Sequence, residues 1–138
     1  MSSFAAIDLT LRTALSDLAL GVPLIGENTG FNPDTDLTTD IWIEAYQLPA
    51  GVDSLMKNSA GGSDENTGIF QVSVMTKNTN DGTTELLGVI DTICTAFQHG
   101  SIFDDVYIVN CSRAAGRIDG GYYRIDISID WLAYIDRV

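Results

Sequence analysis

The chain has 138 residues, 45% of them hydrophobic, and sets 19 Asp and Glu against 7 Lys and Arg for a formal charge of -12. That length and composition predict one compact folded domain with a real core, well away from the disordered class. The acidic balance, with no basic run, argues against a surface that tracks phosphates by counterion release, so repulsion from DNA is expected.

Met1 to Leu20 carries Asp8, Arg12 and Asp17 among its apolar residues and lacks the basic start and unbroken apolar stretch of a signal peptide. No segment reaches the roughly 18 uncharged apolar residues a membrane span needs. A soluble protein made in the cytoplasm is expected. Phe4, Ile7, Leu11, Ala14, Leu15 and Leu18 recur at helical spacing, with Ser2 or Ser3 as N-cap and Gly21 then Pro23 as stop signals. Gly26 to Thr39, rich in Asn, Thr, Gly, Asp and Pro, reads as a loop.

Asp40 to Leu48 is β-branched and aromatic, and reads as a strand that Pro49 ends, because proline cannot donate to a ladder. Ala50 to Thr67 shows no sustained period and is read as a mobile loop. In Ile69 to Thr76 the residues Phe70, Val72 and Val74 alternate with Gln71 and Ser73, the period of a half-buried strand. After a turn at Asn78 to Gly82, Leu86 or Leu87, Ile90, Ile93, Cys94 and Phe97 return to helical spacing, with Thr83 or Thr84 near the N-cap and Gly100 placed for a left-handed C-cap.

Val106 to Ser112 reads as another strand, and Tyr123 to Ile135 alternates apolar with polar residues as a long last one. Asp119-Gly120-Gly121 joins them in a hairpin turn, since Asp and Gly tolerate positive φ. The expected fold is α+β, a mostly antiparallel sheet of about four strands with two helices packed on one face. No internal repeat is visible.

Catalytic and metal chemistry finds little support. His99, the single histidine, lies five residues from Cys94 and so on a different helical face. Asn32, Asp34, Asp36 and Asp40 lack the glycine and glutamate that a calcium loop places at its sixth and twelfth positions. Adjacent Asp104 and Asp105 would point to opposite faces of a strand. Gly61-Gly62, Gly116 and Gly120-Gly121 match no phosphate-cradling arrangement, and Cys94 with Cys111 gives neither CxxC nor a disulfide framework, so two buried thiols are expected. Trp42 and Trp131 read as core aromatics, with a ligand pocket as the competing reading. Arg113, Arg117 and Arg124 form the one cluster of cations, suited to carboxylates in so acidic a chain.

The order of helix, Glu27-Asn28 and Phe31-Asn-Pro33, strand with Leu48-Pro49, glycine-rich loop, Gly68-Ile-Phe-Gln-Val, turn, helix ending Phe97-Gln-His-Gly100 and final hairpin resembles the tail terminator (tail completion) proteins of long-tailed bacteriophages. The likeness spans nearly the whole chain and carries no catalytic signature. It implies a non-enzymatic virion protein without cofactors, assembled in the bacterial host cytoplasm into a homo-oligomeric ring, usually a hexamer, at the head-proximal end of the tail. Such a ring would contact the tail tube protein and a head-completion or neck protein, and DNA would pass through it without specific binding. The acidic, glycine-rich Asp53 to Thr67 segment departs from a generic member. The candidate subunit or tube interface residues are Asp53, Met56, Lys57, Arg113, Arg117 and Arg124. Two alternatives remain: another neck connector, such as a head-completion or tail-tube protein, and a small ligand-binding module around Trp42 and Trp131.

Overall fold

The computed structural model describes residues 3–26, 41–54, 63–77 and 83–136. Helix α1 spans Phe4–Ser16 and is capped by Ser3, whose Oγ accepts from the Ala6 N–H at 3.2 Å. Its repeat buries Ile7, Leu11 and Leu15, and Ala19 at φ 50° and Gly21 at φ 73° turn the chain out of the helix. The strands are β1 (Leu24–Ile25), β2 (Ile41–Ser54), β3 (Ser63–Lys77), β4 (Ile102–Phe103), β5 (Val106–Arg113), β6 (Arg117–Asp119) and β7 (Tyr122–Asp136), with helix α2 (Thr83–Ala96) between β3 and β4.

These strands form one sheet in the order β1-β2-β3-β7-β5-β4, with β6 pairing β7 beyond the end of β5. β1 runs parallel to β2, and the other pairs are antiparallel. The expectation of a mostly antiparallel sheet of about four strands is therefore corrected to a mixed sheet of seven. The added strands, β1, β4 and β6, are two or three residues long, too short to display any alternation.

Alternation along the long strands builds the core. Ile43 pairs with Val74 and Val74 with Ile125, so these side chains share one face, as do Phe70 and Ile129. That face meets Ile7, Leu11 and Leu15 of α1 and Leu86, Ile90, Ile93 and Phe97 from the α2 segment in a single buried cluster. Phe97 packs between Phe70 and Phe103, with ring centroids 6.4 and 5.0 Å away.

Two boundaries also differ from expectation. Pro49 does not end β2, because a register shift between Pro49 and Gly51 absorbs the missing donor and pairing resumes to Ser54. Residues 50–54 and 63–67, read as part of a loop, lie in β2 and β3, where Gly51 pairs with Thr67 and Ser63 with Asp136. Polar composition hid them, since cross-strand partners rather than local period hold these strand ends. Residues 55–62, most of the expected 26–39 loop and the 78–82 turn lie outside the described residues. The last hairpin turns at Gly120 and Gly121, both at positive φ.

Candidate subunit interface

The arginines anticipated as one cluster divide between the two faces of the sheet. Arg117 pairs directly with Arg124 across β6 and β7, whereas Arg113 pairs with Ile127 and so lies on the helix-covered side. Arg124 is the centre of a network. Its Nε donates to Asp126 Oδ1 at 2.7 Å, its Nη1 to Asp119 Oδ2 at 3.1 Å and its Nη2 to Ser73 Oγ at 3.1 Å. Ser73 donates to Asp126 Oδ1 at 2.6 Å, and Arg117 Nη2 reaches Asp126 Oδ2 at 3.2 Å.

Burial raises the Asp126 carboxyl, but the Ser73 and Arg124 hydrogen bonds and the charges of Arg124 and Arg117 outweigh it and hold the group below its ordinary value. Burial alone would lower Arg124, while Asp126 and Asp119 raise it, so its guanidinium stays charged. This network joins β3, β6 and β7. Arg117 keeps a side chain 59% exposed, against 16% for Arg124. Arg113 is exposed and makes no ion pair among the described residues. Asp53 lies in β2, paired with Glu65, and Met56 and Lys57 lie outside the described residues.

An apolar feature the residue reading did not single out lies at the β4–β5 end. Tyr107 and Tyr134 stack edge-on across β5 and β7 with centroids 6.4 Å apart, and both are exposed, as are Ile102 and Val109. The signal was present in the sequence: Tyr107 and Val109 alternate with the buried Val106 and Ile108. Such exposed aromatic surface is a frequent mark of a contact site.

Both tryptophans are buried, Trp42 against Tyr122 on the face away from the helices and Trp131 within the helix-side core. Trp131 also borders a cleft of about 580 Å³ with Phe4, Ile7, Asp8, Arg12 and Gln47. Its polar groups engage one another: Arg12 Nε donates to both Asp8 oxygens at 2.9 Å, and Trp131 Nε1 donates to Gln47 Oε1 at 3.2 Å. Asp104, at φ 51°, and Asp105 turn the chain from β4 to β5. Cys94 on α2 and Cys111 on β5 are half-buried free thiols. Among the described residues no group of three His, Cys, Asp or Glu could hold a metal ion, and no helix is long and apolar enough to cross a membrane.

No curated protein matches the chain. One solved structure, whose name states no function, superposes with a TM-score of 0.70 at 20% identity over 96% of this chain and 96% of the other. Another, from the virion of a native gene transfer agent particle, gives a TM-score of 0.52 at 14% identity over 95% of this chain and 93% of the other. At such identities both likenesses speak to the fold. The phage tail terminator protein family model matches residues 6–131, nearly the whole sequence, and the chain therefore belongs to the phage tail terminator family.

Proposed function

We propose that this chain is a structural protein of a phage virion that assembles into a homo-oligomeric ring, a hexamer, at the head-proximal end of the tail tube. There it ends tube growth and presents the surface that joins the head. Membership of the tail terminator family over residues 6–131 carries this reading.

The surface chemistry supports it. A ring of identical subunits needs a heterologous contact, one patch against a different patch of the next copy. In a chain of charge -12, the exposed Arg113 and Arg117 are natural counterparts for a neighbour's carboxylates, and they would set register and encounter rate more than affinity. DNA passing through an acidic ring meets like charge within a Debye length of about 8 Å and slides without specific binding.

Light scattering and negative-stain imaging of the purified chain, alone and with polymerised tail tubes from the same phage, test the proposal. Rings, and tubes that stop growing and carry an end cap, are the expected result. Binding to the portal side but not to tubes would reassign the chain to another neck position. A monomer indifferent to both would remove the ring reading.

A further inference from the structure

Among the described residues, the outer flank of β5 beyond Ile108 is an open edge of the sheet. β4 pairs only with Val106 and Tyr107. Ile108 closes that short ladder, its N–H donating to Ser101 O at 2.9 Å and its carbonyl accepting from Gly100 N at 3.0 Å. On the inner flank the Ala114 N–H donates to Asp126 O at 2.9 Å. Backbone groups alternate between the two flanks of a strand, so Ser112 and Ala114 turn theirs toward β7 while Cys111 and Arg113 turn theirs outward. No strand among the described residues pairs there. Every residue from Ser112 to Gly121 is exposed.

We propose that this edge accepts an extended acidic segment of a second copy of the chain as an added strand, its carboxylates paired with Arg113 and Arg117. The inference rests on the ring reading and names the surface through which one subunit would take the next. Unpaired edges are normally protected, and the irregularity between Ile108 and Asn110 together with a charged Arg113 are devices of that kind. The sign of the charge decides between protection and recruitment. In a chain with 19 acidic and 7 basic residues, copies repel over most of their surface, and an edge guarded against self-pairing would carry Asp or Glu. This one carries arginine. The exposed Tyr107 and Tyr134 lie at the other end of β5, where β4 already pairs with Tyr107, so the added strand is held by main-chain hydrogen bonds and charge alongside residues 111–117.

Three variants and one exchange measurement separate the possibilities. Arg113→Ala removes the cation and keeps the N–H, and weakens self-association roughly two- to fivefold, more at low salt. Arg113→Glu weakens it further by repelling the acidic segment. Arg113→Pro also removes an N–H that β7 does not use, so it leaves the fold intact and weakens association on the order of tenfold or more. In the wild-type chain, the Cys111 and Arg113 amides exchange quickly in the free subunit and become protected on assembly, a readout that stands even if the proline variant folds poorly. Rings in which residues 110–114 exchange as fast as in free subunits, or a folded Arg113→Pro chain that assembles normally, overturn the edge proposal and leave the ring standing. A wild-type chain that never self-associates overturns both. Protection that appears only on adding tail tube subunits gives the edge to a different partner and overturns the second copy as occupant.

Discussion

The indole of Trp131 crosses Gly68, its direct partner on the neighbouring strand, so closely that a methyl group there would lie 2.7 Å from Cε2. Trp131 is 3% exposed and packed in the helix-side core, so a shift of its ring would disturb that packing. The glycine of the Gly68-Ile-Phe-Gln-Val run is thus explained by a ring packed on its backbone. Gly68→Ala should cost about 1–3 kcal/mol through overpacking, against a gain of about 0.4–1 kcal/mol from a stiffer unfolded chain. Urea unfolding measures the balance. Combining it with Trp131→Leu should cost less than the two single changes summed, since the smaller side chain makes room. A neutral Gly68→Ala would mean the ring is not seated there.

Asp126 sets an acid limit. Its folded-state carboxyl lies below the ordinary value, so its contribution is complete above the unfolded value near ~3.9 and is lost as pH falls through the lowered folded value. Asp126→Asn should cost about 1.5–3 kcal/mol at neutral pH, typical of a lost charged hydrogen bond, and should flatten the acid limb of stability against pH. An unchanged acid limb would show that Asp126 does not titrate with folding.

The two helices and the long strands were legible because their apolar residues keep a period: Ile7, Leu11 and Leu15 on a helix, Phe70, Val72 and Val74 on a strand. Ser3 as N-cap and Gly120-Gly121 as turn were legible from local chemistry alone. The short β1, β4 and β6 were not, since a pair such as Leu24–Ile25 becomes a strand only through its neighbour on β2. The arginines show the same limit. Spacing along the chain brought Arg113, Arg117 and Arg124 near one hairpin, but register decides the face, and it separates Arg113 from the other two.

The thiol pair predicts an alkaline limit. Cys111 is pushed up to about 12 by burial first, then by its hydrogen bond with Cys94, the Cys94 charge and Asp130. A raised folded value means that the protonated thiol contributes stability fully below the unfolded value near ~8.5, and that this is lost as pH rises toward the folded one. Stability should therefore decline between those limits, and Cys111→Ala should lessen the decline. Because the thiolate is the reactive form, iodoacetamide at mildly alkaline pH should label Cys111 at least about tenfold more slowly in the folded chain than in urea. Equal labelling rates would place the thiol in an ordinary solvated setting.

Arg113 and Arg117 should be separable from Arg124 by what their loss does. Exposed ion pairs contribute about 0–1 kcal/mol to folding, and among the described residues Arg113 has none while Arg117 has one, to Asp126. Replacing both with alanine should therefore leave the urea midpoint nearly unchanged and weaken assembly, most strongly at low salt where charge steers the encounter. Arg124→Ala should do the reverse, lowering stability by about 1.5–3 kcal/mol because it removes the charged hydrogen bonds to Asp126 and Asp119 and the one to Ser73, leaving Asp126 with Ser73 and the exposed Arg117 alone among these partners. Sedimentation and unfolding on the same preparations read both effects. Unchanged assembly in the Arg113/Arg117 double variant would move the contact between copies away from this edge, and a marginal Arg124→Ala would mean that the network is looser than its distances indicate.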